Sequence, residues 1–141
     1  EAVRRDWTDL AHNIQRNVLK LVFLETPAKE VEDFVWFEVC AVRDGERDEE
    51  LVYRRRLRRD IAAYTKSTPP HVKAAKLVGA EKGELIKYVM TTVGPEPLNA
   101  LSSPVDYNHY IEKQISPIIH SIARVFPLDV RSALFGERQL F

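Results

Sequence analysis

The chain has 141 residues, of which 45% are hydrophobic and 9% aromatic; this composition is typical of a folded protein and excludes an intrinsically disordered tail. The length predicts a single domain spanning residues 1–141. The longest run without a charge, Gln114–Ala123, is too short for the roughly 20 apolar residues of a membrane span. No signal peptide is recognisable, and Cys40 is the one cysteine, so we expect a soluble protein of a reducing compartment.

The charges are segregated along the chain. The 21 basic and 21 acidic residues sum to zero, yet residues 51–78 contain eight basic residues and only one acid, Asp60. This stretch therefore carries a net charge of +7, and the remainder carries −7. Because local potential decides which polyanion can approach, the sequence predicts a strongly polarised molecule.

The first third of the chain predicts a helical hairpin. Apolar residues at alternating spacings of four and three indicate a helix over Asp6–Leu24. A second helix follows, for which we expect Thr26 as the N-cap and Pro27 as the first helical residue. The Asp44-Gly45 pair is expected to end it.

The middle of the chain changes period and predicts two short strands. Residues 51–57 fit a strand on which Arg54 and Arg56 share one side, about 6.6 Å apart, with Arg55 opposite. Leu85–Thr91 alternates in the same way and could pair with it. Between the strands, a short helix over His71–Val78 is expected. We expect the second strand to end at Gly94-Pro95-Glu96-Pro97.

The last third predicts a long helix with a kink. Ser103 is a candidate N-cap, with Pro104 as the first helical residue and Asp106 as the reciprocal cap. Apolar residues then recur at helical spacing from Tyr107 to Phe126, interrupted by Pro117. A final short helix over Asp129–Phe135 is closed by Gly136. The predicted fold is mostly α (α+β with a small β element): a helical hairpin, short basic β-strands and a kinked C-terminal helix.

Catalytic and metal-binding patterns are missing from the sequence. His109 and His120 would lie about 16 Å apart along one helix and cannot share a metal ion. The acidic stretch Asp44–Glu50 lacks the glycine and the glutamate that a calcium-binding loop requires at its sixth and twelfth positions. There is no glycine-rich phosphate loop, no Gly-x-Ser-x-Gly motif and no Asp-x-Asp pair for magnesium. These residues alone indicate a binding or support domain.

Five arginines occupy six consecutive positions from Arg54 to Arg59, with Tyr53 and Tyr64 nearby. Guanidinium groups fit phosphate oxygens, and a strand spaces them along a nucleic-acid backbone. The alternative is that the arginines form a solvated strand edge or pair with the excess acids elsewhere in the chain.

The order of motifs along the whole chain resembles the C-terminal thumb domain of family B DNA polymerases, in particular the bacterial members. The matching segments are Val3–Thr8, Leu51–Arg59, Tyr64, Pro69–Ala75, Ile86–Val89, Gly94–Leu98 and Ser103–Tyr107, followed by Tyr110, Gln114 and Pro117. The resemblance implies a role in DNA-directed DNA synthesis, a nucleotidyl transfer, in replication and repair. It also implies a cytoplasmic, nucleoid-associated protein.

By this resemblance, the chain would hold the primer-template duplex while the palm performs the chemistry. The first residue is Glu1 rather than Met, which we interpret as a fragment beginning near the boundary between palm and thumb. The metal-binding aspartates and the magnesium of the full polymerase would lie upstream; no cofactor is expected in the fragment, which alone should be inactive. The expected partners are duplex DNA and the remainder of the polymerase.

The resemblance also implies which residues face the DNA backbone. The predicted contacts are Arg54, Arg55, Arg56, Arg58, Arg59, Tyr64, Lys66, His71 and Lys73. For His71, a local helix-capping role is the alternative. Lys87 and Tyr88 are interpreted as sheet packing in preference to DNA contact.

The C-terminus supports a separate hypothesis. Bacterial family members end in a Gln-Leu-x-Leu-Phe peptide that binds the sliding clamp. Here Glu137 and Arg138 replace the first two motif residues, whereas Leu140 and Phe141 remain. We expect weakened clamp binding through Gln139, Leu140 and Phe141, the alternative being that these side chains pack on their own domain.

A different class of function stays open at this stage: a noncatalytic protein-interaction subunit or a small piece of a split polymerase. The reading frame upstream of Glu1 distinguishes the two hypotheses. Palm and exonuclease segments would support the polymerase thumb, and an initiator methionine just before Glu1 would support the small subunit.

Overall fold

The computed structural model describes residues 7–137. The described chain forms two compact units. We call the first the sheet unit, which consists of Leu51–Asp106 with Trp7 and Thr8, and the second the helical unit, which consists of Asp9–Glu50 and residues 107–137. Across residues 7–137, no helix is long and apolar enough to cross a membrane.

The helical unit begins with the predicted hairpin. Helix α1 spans Asp9–Phe23 and helix α2 spans Ala28–Arg43. The apolar stripes face inward on both helices. The buried residues are Leu10, Ala11, Ile14 and Val18 on α1 and Val31, Val35, Val39 and Val42 on α2.

The expected cap of α2 was wrong by one residue. Pro27, not Thr26, is the N-cap, because its extended backbone (ψ 142°) keeps it outside the helix. The Pro27 carbonyl accepts hydrogen bonds from the N–H groups of Glu30 and Val31. The predicted end of the helix is confirmed at Asp44, followed by Gly45 with a φ of 78°.

The sheet unit contains both predicted strands and one that was missed. Strands β1 (Tyr53–Arg56), β2 (Leu85–Thr91) and β3 (Gly94–Pro97) form an antiparallel sheet in the order β1-β2-β3. The prediction ended the sheet before β3 because two prolines lie in its four residues. An edge strand tolerates proline, since one of its sides needs no N–H donor. Between β1 and β2, helix α3 spans Pro70–Val78 and ends at Gly79 with a φ of 63°.

The predicted start of the C-terminal helix was also wrong. Val105 forms a β-bridge with Thr91, and the Asp106 N–H donates to the Met90 carbonyl at 3.0 Å. The helix therefore begins at Tyr107, three residues later than predicted, and the Ser103 hydroxyl bonds to Glu96 within the sheet unit. The segment from Ser103 to Asp106 has a cap-like sequence, but its backbone pairs with β2 instead of starting a helix there.

The long helix forms with an altered turn at its centre. Helix α4 (Tyr107–Tyr110) continues through a π-helical turn (Ile111–Ile115) into helix α5 (Ser116–Ala123). The turn lies directly before Pro117, whose ring crowds the preceding turn and whose nitrogen cannot donate. The disturbance predicted at Pro117 therefore takes the form of a π-helical turn.

The last helix, α6, spans Val130–Phe135, so it begins one residue later than predicted and ends at the predicted residue. The Asp129 carboxylate caps it by accepting from the N–H groups of Arg131 and Ser132, and Gly136 closes it with a φ of 68°. The mostly α fold class with a small β element is confirmed.

Candidate nucleic-acid interface

Three cations share one exposed face of the sheet. In the β1–β2 register, Arg54 lies directly opposite Lys87, and Arg56 lies opposite Leu85. Side chains at directly opposed positions of an antiparallel pair project to the same face. Arg54, Arg56 and Lys87 are all exposed, so they present their charges together.

The opposite face of the same strands is packed. Tyr53 and Tyr88 are buried there, with their rings stacked at a centroid distance of 5.1 Å. Arg55 alternates to this side and is half-buried. The structure therefore separates Arg54 and Arg56 from Arg55, as the strand pattern predicts, and it confirms the packing interpretation of Tyr88.

The pairing of Arg54 with Lys87 is unfavourable by itself. Like charges directly opposite each other destabilise a strand pair, and an anionic ligand would offset that cost. Sequence reasoning assigned Lys87 to sheet packing. The alternation sets Lys87 on the same face as Leu85, which is exposed, and Val89, which is buried, so the local pattern alone did not decide whether Lys87 is exposed.

Arg56, the last residue of β1, and Arg59, which follows the strand, contact groups that do not neutralise their charge. The Arg56 guanidinium donates to the Gly83 carbonyl, and the Arg59 guanidinium lies 4.5 Å above the centre of the Tyr64 ring. Arg58 is exposed. A carbonyl or an aromatic face orients a guanidinium group without neutralising it.

His71 is the predicted contact residue that the structure places inside the fold. Its side chain is 4% exposed, and its ring meets the Tyr64 ring edge-on at 6.4 Å. Pro69 is the N-cap of α3 and makes no side-chain hydrogen bond to the helix. We interpret His71 as packing beneath Tyr64 and leave it out of the interface, whereas Lys66 and Lys73 are exposed.

One acidic residue of the sheet unit, Glu96, accepts hydrogen bonds from neighbouring residues of the same unit. Glu96 is buried, and its carboxylate accepts hydrogen bonds from the backbone N–H and hydroxyl groups of Ser102 and Ser103, at 2.8–3.3 Å. These bonds, led by the one from the Ser102 N–H, hold the pKa of Glu96 below its usual value. Glu96 thus fixes the segment after β3 through groups that carry no charge.

The two units differ in charge. Residues 51–106 carry ten basic and five acidic residues, a net charge of +5, and the described helical unit carries eight basic and fourteen acidic residues, a net charge of −6. Arg47 forms ion pairs with Glu38 at 3.0 Å and Glu50 at 4.0 Å, and Arg131 pairs with Glu137 at 2.8 Å, all within the helical unit. The Glu38 hydrogen bond raises the pKa of Arg47. The cationic surface therefore belongs to the sheet unit.

Among residues 7–137, no three His, Cys, Asp or Glu residues are grouped as a metal site. The proposed clamp-binding residues Gln139, Leu140 and Phe141 lie outside the described residues, so clamp binding stays a prediction.

Comparison with known proteins identifies the class. No family model matches the chain. The fold is similar to the structure of the family B DNA polymerase from the hyperthermophilic archaeon Pyrobaculum calidifontis, with a TM-score of 0.73 and 27% identity over 88% of this chain and 18% of that one. The sequence is 32% identical to DNA polymerase 2 of Aeropyrum pernix, over 99% of this chain and 19% of the relative. The chain is therefore related to one segment of family B DNA polymerases.

A bacterial enzyme of this class is also among the relatives. Over 152 aligned residues, which include the whole of this chain, the sequence is 37% identical to DNA polymerase II of Escherichia coli strain K12. The resemblance to family B DNA polymerases inferred from the motifs is confirmed. The chain spans about one fifth of the length of these relatives.

Proposed function

We propose that the chain is the thumb region of a DNA-directed DNA polymerase and that its sheet unit grips the primer-template duplex through phosphate contacts during synthesis and repair. Nucleotidyl transfer, with its magnesium ions, belongs to other parts of the polymerase. The observation that carries the proposal is the exposed sheet face on which Arg54, Arg56 and Lys87 meet.

The residue types fit a grip that ignores base sequence. A polymerase holds every sequence equally, so its duplex contacts should address phosphate and sugar more than base edges. Arginine forks bind phosphate oxygens at two points, and residues two apart on a strand project side by side. Arg58, Arg59, Lys66 and Lys73 extend the exposed charge beyond the strand.

Salt-dependent binding tests this function. We expect the chain to bind duplex DNA of any sequence with a dissociation constant of about 10⁻⁴ to 10⁻⁶ M. If about five phosphates are contacted, log K against log salt should have a slope near −4.5. Fluorescence anisotropy with duplexes of unrelated sequence measures both quantities.

A matched pair of variants locates the contact. Lys87→Thr keeps the strand preference and should weaken binding about threefold while reducing the slope by about 0.9. Lys29→Thr removes an exposed lysine from the helical unit and should change neither. A slope near zero or a sequence preference contradicts the proposal, and an absence of DNA binding favours the noncatalytic interaction subunit.

A further inference from the structure

A surface depression of about 300 Å³ lies in the segment that joins β1 to α3. Its lining residues are Arg59, Ala63, Tyr64, Thr65, Lys66 and Ser67. Two of these side chains are cationic, three carry a hydroxyl group, and none is acidic. All six fall within nine consecutive residues, so one short segment builds the whole depression.

A stack of three side chains supports one wall. The buried His71 ring meets the edge of Tyr64 at an interplanar angle of 88°, and the Tyr64 ring in turn lies 4.5 Å beneath the Arg59 guanidinium. His71 lies in the first turn of α3, which anchors the stack to a regular element. An arginine held flat on an aromatic ring loses less side-chain freedom when it binds an anion than one that moves freely in water.

We propose that this depression is a discrete binding site for a single phosphate group, in which Tyr64 is a positioning residue that holds Arg59. This inference rests on the proposed function for its ligand source, a phosphodiester of the DNA backbone, although a free phosphate offers the same chemistry. Arg59 supplies a planar fork of donors, Lys66 supplies a point charge, and the Thr65 and Ser67 hydroxyls supply neutral donors.

The lining contains two cationic side chains and no acidic one, which favours a negatively charged ligand. An anion entering the depression meets two cations and the hydroxyl groups of Thr65 and Ser67, whereas a cation would meet no carboxylate in the lining. One face of the Tyr64 ring is covered by Arg59 and its edge is met by His71, which favours an anion beside the guanidinium over a base stacked on the ring. The Tyr64 ring therefore holds Arg59 in the lining of the depression, together with the hydroxyl groups of Thr65 and Ser67.

A double-mutant cycle in DNA binding tests the positioning role. Arg59→Ala should weaken duplex binding about five- to tenfold, since it deletes a charge-assisted contact. Tyr64→Leu retains every charge and should still weaken binding about three- to fivefold, the size expected from a lost cation–π support. Because both changes act through one guanidinium, the double variant should bind no more weakly than Arg59→Ala.

Two controls separate positioning from general damage. Tyr64→Phe keeps the ring and should restore binding to the level of the unaltered chain. Lys76→Ala removes an exposed lysine of α3 outside the depression, and its effect should add to that of Tyr64→Leu. Wild-type affinity in Tyr64→Leu, or additive losses in the Arg59 and Tyr64 cycle, would overturn the positioning role.

A titration with inorganic phosphate distinguishes this site from the duplex grip. In nuclear magnetic resonance spectra of the unaltered 141-residue chain, phosphate should shift the backbone amides of Thr65, Lys66 and Ser67 and leave that of Lys113 in place. Shifts without any DNA binding would refute the proposed duplex grip and support a free-phosphate site. DNA binding without these shifts would refute the site and leave the grip intact.

Discussion

The sheet unit and the helical unit carry opposite net charges, although the chain as a whole is neutral. The helical unit is net negative and uses carboxylates locally, as in the pairing of Glu38 with Arg47. The sheet unit is net positive and sets Arg54 against Lys87 across a strand pair, where repulsion opposes stability. A neutral composition can therefore conceal a cationic surface, because the basic and acidic residues are concentrated in different units of the fold.

The units also differ in how closely other atoms surround the glycine that ends a helix. Gly79 closes α3 in the sheet unit and Gly136 closes α6 in the helical unit, with nearly equal φ values of 63° and 68°. A Cβ at Gly79 would meet nothing within 4 Å, whereas one at Gly136 would lie 2.6 Å from the Trp36 indole. The two positions therefore share a left-handed backbone conformation, which is unfavourable for a residue with a Cβ, and they differ in the space available for that Cβ.

The largest expected effect comes from substituting these glycines. Gly79→Ala should lower the free energy of unfolding by about 1 kcal/mol, the cost of a left-handed conformation for a residue with a Cβ. Gly136→Ala adds the clash with Trp36 and should lower it by about 3 kcal/mol or more. Urea denaturation measures both, and equal losses would show that the indole moves aside.

Regular elements followed from local sequence. The strand Leu85–Thr91 has the predicted ends because alternation specifies a half-buried strand. The Asp129 cap and Gly136 closure of α6 were likewise predictable, since each depends on a residue type and its immediate neighbours. The separation of Arg54 and Arg56 from Arg55 follows from the same two-residue period.

The errors arose where distant partners decide the structure. Ser103 has the sequence context of a helix cap. In the fold, its hydroxyl donates to Glu96 and the neighbouring Val105 pairs with Thr91, so this segment belongs to the sheet unit. The burial of His71 beneath Tyr64 depends on a contact across a loop, and the pairing of Lys87 with Arg54 depends on a register of strands 33 residues apart. No local pattern contains these contacts.

The second prediction concerns acid, to which the sheet unit should be sensitive through Glu96. Its pKa is lowered in the fold, so its stabilising effect is present above the usual value of 4.5 and is lost as the pH falls through the lowered value. Glu96→Gln replaces an acceptor oxygen with an amide that opposes the Ser102 and Ser103 donors. We expect the melting temperature at pH 7 to fall by about 5 °C.

The pH dependence of that loss identifies its source. The difference in melting temperature between the unaltered chain and Glu96→Gln should shrink steadily below pH 4.5, as the wild-type carboxyl gains its proton. Glu81→Gln, at an exposed position of the same unit, should melt like the unaltered chain throughout. A difference that is independent of pH would assign the loss to altered packing instead of to the charge.

The smallest expected effect is in the helical unit, at the opposite end of the pH scale. The Tyr107 hydroxyl donates to the Asp48 carboxylate at 3.0 Å, and burial together with Asp48 raises the pKa of Tyr107 above 10.0. The protonated phenol is favoured by folding, so its contribution is present below pH 10 and is lost as the pH rises through the raised value. Tyr107→Phe should lower the free energy of unfolding at pH 7 by about 0.5–1 kcal/mol, and this difference should vanish at higher alkaline pH. In an Asp48→Ala background the same substitution should have no effect, because the acceptor is gone. A persistent loss there would mean that the destabilisation does not come from the hydrogen bond between the Tyr107 hydroxyl and Asp48.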